Sequence, residues 1–234
     1  MADKTDKTGK MGTETKTAYI FCKSFDLNMR KINIAKSGGN IYIAADSGLE
    51  TAEKLKITPD IIIGDFDSAA PELLEKYSCS HGSGIIKYPP QKDDTDSMLC
   101  VKYAVERGFE DIVIIGGIGG RIDHTLANLA LLRYIKNHGG SGIITDGFNR
   151  VSYIADGVGR VFKNYKYVSL IPVSRELRGV TLTGFLYNLE NAVVRADEPY
   201  TISNEIDTEG GLRSGGLCGT VKITEGEAFI CECD

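Results

Sequence analysis

The chain has 234 residues, enough to bury a substantial core in one large domain or two small ones. Its 42% hydrophobic and 25% charged residues are ordinary for a globular protein, and no apolar run approaches the roughly 20 residues that cross a membrane. A formal charge of -5 argues against a general nucleic-acid binder, which would carry a basic face or stripe.

Residues 1–16 are rich in Lys, Thr, Asp and Gly, with neither the apolar core of a secretory signal nor the Arg-rich pattern of a transit peptide. They are expected to form a disordered tail, and the protein to be cytoplasmic and away from membranes. From residue 17 to 153, short β-branched runs alternate with stretches of helical period. The runs are Ala18 to Cys22, Ile41 to Ala45, Ile61 to Ile63, Ile85 to Tyr88, Ile112 to Ile115 and Gly142 to Thr145. Between them Met98, Val101 and Val105 recur at helical spacing, as do Ala127, Leu131, Tyr134 and His138. This alternation predicts an α/β domain, a Rossmann-like, mostly parallel sheet with helices on both faces, whose ligands bind at the carboxyl ends of the strands. From residue 158 to 234 the helical period is gone. Tyr167 to Val173, Val180 to Leu186 and Thr220 to Ile223 read as strands between Gly and Asn turns, predicting a C-terminal all-β sandwich domain.

The cysteines Cys22, Cys79, Cys100, Cys218, Cys231 and Cys233 are scattered without CxxC spacing, in a chain too long to need disulfide staples. Reduced thiols are expected, with Cys231 and Cys233 on one face of a strand.

Chemistry concentrates at the strand ends. Asp46 follows the second run, Asp65 and Asp67 follow the third in GDFDS, and PPQKDDTD adds Asp93, Asp94 and Asp96. GGIGGRIDH after the fifth run adds Asp123. Singly, such residues cap helices or make turns: Asp94 is placed to cap a helix beginning near Thr95, and Ser68 one around Pro71. Gathered at one edge, carboxylates repel and raise one another's pKa unless a cation neutralises them. All-oxygen ligation points to magnesium or manganese, and magnesium in such sites arrives with phosphate. The loop Gly116 to Gly120, ending in Arg121 and leading into a helix at His124, offers close backbone approach, N–H groups and a guanidinium to phosphate oxygens. No GxxxxGK[ST] P-loop is present.

ADSG at 45–48, PDIIIGDFDS at 59–68, KDDTD at 92–96, GGRIDHTLAN at 119–128 and SNE at 203–205 together resemble bacterial thiamine pyrophosphokinases. GDFDS followed by GGRxDH carries most of this likeness. The resemblance implies an N-terminal nucleotide-binding domain, a C-terminal thiamine-binding sandwich, and a homodimer with sites shared between subunits. It implies ATP and thiamine as substrates and Mg2+ as cofactor. Asp65, Asp67 and Asp96 match the family's magnesium ligands; Asp46, Lys92, Thr95, Arg121 and Asp123 fall in its ATP motifs; Ser203 and Asn204 match its thiamine-side motif. Two departures stand out. The chain has no Trp, on which some eukaryotic members stack thiamine, and Ser47 stands where a glycine is common.

The implied reaction is attack of the thiamine hydroxyl on the β-phosphorus of ATP, releasing AMP. Arg121 would stabilise charge on the transferring group, and Asp67, Asp96 and Asp123 are the candidates to take the proton. A pyrophosphokinase for another hydroxymethyl heterocycle, such as a pterin, would keep the same aspartates. A non-catalytic Mg-ATP sensor would keep them too, whereas an aspartyl phosphatase would need a Thr at Ala69.

Overall fold

Each β-branched run of the N-terminal part forms a strand in the computed structural model, which describes residues 16–67, 70–80, 82–91, 93–208 and 217–234. The tail up to residue 15, the Ser68 cap, Lys92 and four of the expected turn glycines (Gly210, Gly211, Gly215 and Gly216) lie outside the described residues. The strands are β1 (Thr17–Phe21), β2 (Ile41–Ala45), β3 (Ile61–Gly64), β4 (Gly84–Lys87), β5 (Asp111–Ile115) and β6 (Ser141–Thr145). They pair in parallel in the order β4-β3-β2-β1-β5-β6.

Parallel strands need both faces covered, and period-two alternation divides the side chains between two layers. Ala18, Ile20, Ile43 and Ile114 face α3 (Asp96–Glu106) and α4 (Ile122–Asn137), which contribute Val101, Ala104, Leu131, Leu132 and Ile135. Tyr19, Phe21 and Ile62 face the other layer, where α1 (Leu49–Lys54) and α2 (Pro71–Glu75) bring Ala52, Leu49, Leu73 and Leu74. Winding reverses between β1 and β5, and that reversal opens a crevice at the carboxyl ends of the strands.

The face of α4 differs from its predicted register. Ala127 and His138 are exposed, and the buried positions are Asn128, Leu131, Leu132 and Ile135. Leu126 to Leu132 is apolar enough to admit several frames, and the polar residue that fixes the frame is buried because its amide is hydrogen-bonded.

The second half is built from β7 (Asn149–Phe162), β8 (Tyr167–Pro172), β9 (Glu176–Thr183), β10 (Leu189–Arg195) and β11 (Cys218–Cys233). β7 joins β6 antiparallel and carries the chain out of the parallel sheet. β11 pairs with β7 along nearly its whole length; its first half also pairs with β9 and its second half with β8. The register shifts between Ile223 and Glu227, where Gly226 has a φ of +115°. The two arms enclose a second core that includes Leu170, Val180, Leu182, Phe185, Val221 and Ile230. β7 and β10 were not expected, and β11 is far longer than Thr220 to Ile223. Asp156, Gly157 and Gly159 interrupt the apolar pattern of β7, and Thr224 to Gly226 interrupts that of β11, although the hydrogen bonding resumes beyond each interruption.

All six cysteines are free, and Cys231 and Cys233, two residues apart in β11, share one face of the strand. Burial pushes the Cys231 thiol up to about 12. Between them Glu232, 2% exposed, pairs with Arg150 directly opposite on β7. Burial raises the Glu232 carboxyl pKa, and the Arg150 guanidinium opposes the shift. A carboxyl whose pKa is raised by folding favours the folded state when protonated, so its contribution fades as pH rises through the folded value. Arg150→Ala removes the opposing cation. It is expected to cost about 3 kcal/mol at pH 8, the low end for a broken buried pair because Arg150 is partly solvated, and less at pH 5. Urea unfolding at the two pH values checks this; an equal loss at both would contradict it.

Candidate active site

A cleft of about 380 Å³ lies at the crevice, lined from the ends of β1, β2 and β5 and from the first turns of α3 and α4. Asp46 enters from a 3-10 turn, Asp46–Gly48, directly after β2, and is buried. Its left-handed backbone (φ +44°) brings it against β3, where only a glycine fits. A Cβ on Gly64 would stand 2.9 Å from Asp46 Cβ. Past Gly64 the chain turns through Phe66, also left-handed at φ +64°, and the Asp67 N–H donates to Asp65 Oδ1 at 3.3 Å. Two such backbone conformations cost about 1–3 kcal/mol each and recur where function demands a fixed geometry.

This folding brings an oxygen of each of Asp46, Asp65 and Asp67 within 4.8 Å of the others. Three carboxylates so close disfavour one another's charge, and an all-oxygen donor set suits a hard divalent cation rather than zinc. Asp96, the first residue of α3, faces the same cleft beside Asp46 without belonging to the close trio. Burial, with the Asp96 charge adding to it, pushes the Cys22 thiol at the cleft wall up to about 12, so it is inert as a nucleophile.

Thr95, not Asp94, caps α3: its Oγ1 accepts the Met98 N–H at 3.2 Å. Asp94 is engaged instead by Lys102 at 2.6 Å, and this contact raises the Lys102 pKa. From Thr95, which is exposed, a chain of hydrogen bonds runs inward to the buried Ser97 and Asn128. Ser97 Oγ lies 3.0 Å from Thr95 Oγ1 and donates to Asn128 Oδ1 at 2.7 Å, and Asn128 Nδ2 donates to the Gly117 carbonyl at 2.9 Å. One amide thus ties the aspartate-bearing end of α3 to the glycine loop. Asn128→Ala would leave the Ser97 hydroxyl and the Gly117 carbonyl without these partners, at a cost of about 2–3 kcal/mol. Denaturant unfolding measures it, and a loss below about 0.5 kcal/mol would show that the chain is not a structural tie.

The glycine loop departs from expectation in one respect. The N–H groups of Gly116, Gly117 and Gly119 already donate to Thr145 O, Lys23 O and Thr125 Oγ1, so they are not open donors for phosphate. α4 starts at Ile122, two residues earlier than expected. Arg121 lines the cleft and forms a two-point pair with Asp123 in the first turn of α4, at 3.1 and 2.5 Å. The Arg121 guanidinium holds the Asp123 carboxyl below its usual range.

Of the residues singled out in the sequence, Asp46, Thr95, Asp96 and Arg121 line the cleft, while Asp65 and Asp67 join Asp46 in the carboxylate trio. Ser203 and Asn204 are not brought to it. They lie in the second half, where Asn204 accepts the Tyr187 and Glu205 N–H groups and donates to Tyr187 O, fixing the turn that carries Tyr187. Ser203 is exposed and left-handed, with φ +59°. Sequence reasoning missed Lys23, Phe25, Ser97, His124 and Asn128 as cleft residues. The signal available for Asn128 was a polar residue inside the apolar stripe of a helix.

A doubly wound parallel sheet with carboxylates, a glycine loop and a guanidinium at its switch point defines an α/β protein with a candidate ligand site at the carboxyl ends of its strands. The family model described as the catalytic domain of thiamin pyrophosphokinase matches residues 35–142, and that described as its vitamin B1 binding domain matches residues 159–213. A thiamine pyrophosphokinase of Bacillus subtilis is 32% identical over 169 residues, covering 71% of this chain and 78% of the relative. A solved structure of thiamine pyrophosphokinase from Bacillus subtilis superposes with a TM-score of 0.78 at 25% identity, over 93% of this chain and 98% of that one. One from Geobacillus thermodenitrificans gives 0.76 at 26% identity, over 94% and 97%. The chain belongs to the thiamine pyrophosphokinase family. This membership leaves the pterin, sensor and phosphatase readings without support.

Proposed function

We propose that the cleft binds ATP with Mg2+ and that the protein transfers the pyrophosphoryl group of ATP to the hydroxyl of thiamine, giving thiamine pyrophosphate and AMP. The observation that carries this reading is the carboxylate trio beside the glycine loop and Arg121, in a chain of this family. Asp65 and Asp67 would hold Mg2+ together with Asp46 and, from the end of α3, Asp96. Bound there, the ion supplies positive charge to phosphate oxygens. Lys92, between β4 and α3 in sequence, is assigned to the nucleotide with Thr95 and Asp123.

The protein's own part is mainly placement and neutralisation. Arg121 exchanges its Asp123 partner for the phosphates, and Asp123 keeps the guanidinium at the cleft mouth until then. The thiamine oxygen bonds to the β-phosphorus, the bond from that phosphorus to the α,β-bridging oxygen breaks, and AMP leaves with that oxygen. While the two are paired, Arg121 lowers the proton affinity of Asp123. Asp67 sits in the trio. Asp96, although outside that trio, is likewise assigned to the ion, so the hydroxyl proton is assigned to none of the three.

Residues 17–153 would serve the nucleotide and 158–234 thiamine, through Ser203 and the Tyr187 turn that Asn204 holds. The protein would work in the cytoplasm as a homodimer, each thiamine half completing the partner's cleft; no helix among the described residues is long and apolar enough to cross a membrane. Purified protein given Mg-ATP with thiamine or a hydroxymethylpterin tests the acceptor. A pyrophosphoryl mass gain on thiamine alone is expected, and a gain on the pterin instead would reassign the substrate.

A further inference from the structure

Phe25 is 67% exposed at the cleft wall and belongs to none of the buried clusters, whereas Leu27, two residues on, packs with Tyr19 and Phe21. Its exposure is set by anchors on both sides. The Lys23 carbonyl accepts the Gly117 N–H at 3.0 Å, and the Asn28 N–H donates to the Asp146 carbonyl at 2.9 Å. Between them Ser24 Oγ donates to the Asp26 carbonyl at 2.7 Å, and the Asp26 carboxylate accepts the Leu27 N–H at 2.9 Å. The ring rests on the glycine loop: a Cβ on Gly120, where φ is +65°, would come within 2.1 Å of Phe25 Cε2. Among the described residues, this is the one phenyl ring in a cleft otherwise lined by small, polar and charged groups.

We propose that Phe25 is the stacking platform for the base of the nucleotide. A cleft lined by Lys23 and Arg121, by the carboxylates of Asp46 and Asp96 and by one exposed phenyl ring matches a ligand with a polyanionic end and a flat heteroaromatic end. Phe25 packs against the glycine loop that leads into Arg121, so base and phosphates fall within the reach of one molecule. The assignment rests on reading the cleft as a nucleotide site, and it adds the element that separates a nucleotide from a bare polyphosphate. An aromatic face binds a base through stacking that aliphatic side chains do not reproduce.

Calorimetry with Mg2+ tests it, using two probes: α,β-methylene-ATP, which cannot undergo the transfer, and inorganic tripolyphosphate, which lacks a base. For Phe25→Ala and Phe25→Leu, affinity for the nucleotide analogue is expected to fall about fivefold to a hundredfold, the usual effect of deleting a stacking ring, while tripolyphosphate binds as to wild type. Phe25→Tyr should retain wild-type affinity for both. Unchanged analogue binding in Phe25→Ala, full retention by Phe25→Leu, or equal weakening of both probes would overturn the proposal. A wild-type protein that binds neither phosphate probe would instead refute the nucleotide site itself.

Discussion

Asp67→Asn is expected to lower turnover about a hundred- to a thousandfold while leaving the protein folded, the range seen when one preorganised charge-stabilising group is lost. Asp67 is exposed and contributes to no core cluster, so its removal creates no cavity. What it removes is one of three carboxylates within 4.8 Å of each other. Fewer like charges at that edge should raise the melting temperature measured without divalent cation and shrink the further rise on adding Mg2+. Steady-state rates with thermal melts at zero and saturating Mg2+ check both halves. Wild-type turnover, or an unchanged response to Mg2+, would reduce Asp67 to a turn residue.

The second large effect is recovery of activity from two inactive variants. The cleft and the pair Ser203 and Asn204 lie in different parts of the chain, and Ser203 and Asn204 do not line the cleft of their own protomer. If each protomer completes the other's cleft, the twofold symmetry of a dimer makes two composite sites. Mixing Asp67→Asn with Asn204→Ala under random subunit exchange then yields heterodimers holding one intact and one doubly damaged site. About half the dimers are heterodimers, so activity should climb from near zero to roughly a quarter of wild type. Native mass spectrometry confirms that heterodimers formed, and circular dichroism confirms that Asn204→Ala, which loses three side-chain hydrogen bonds, remains folded. Confirmed heterodimers without activity would mean that each site is built within one chain.

Much of the α/β half is legible in the sequence because buried parallel strands are written as short β-branched runs. Ile41 to Ala45 reproduces β2 to the residue, and the other five runs fall within one residue of their strands. The sandwich is less legible. Its long strands cross bulges and glycines, so β7 reads as broken at Asp156 to Gly159 and β10 as a polar stretch. The aspartates could be read as a group because they all follow strand ends. That Asp46 rather than Asp96 sits closest to Asp65 and Asp67 could not, since it depends on a left-handed Asp46 and on the Cβ that Gly64 lacks. Asn128, Ser97 and Phe25 escaped for a related reason: their roles come from helices and loops that meet only in three dimensions, and no spacing along the chain encodes that meeting.

Pyrophosphoryl transfer is read most directly from its nucleotide product. With purified protein, ATP, Mg2+ and thiamine, chromatographic quantification should find one AMP for each thiamine pyrophosphate formed. ADP appearing in step with thiamine monophosphate would place the attack on the terminal phosphorus and contradict the account.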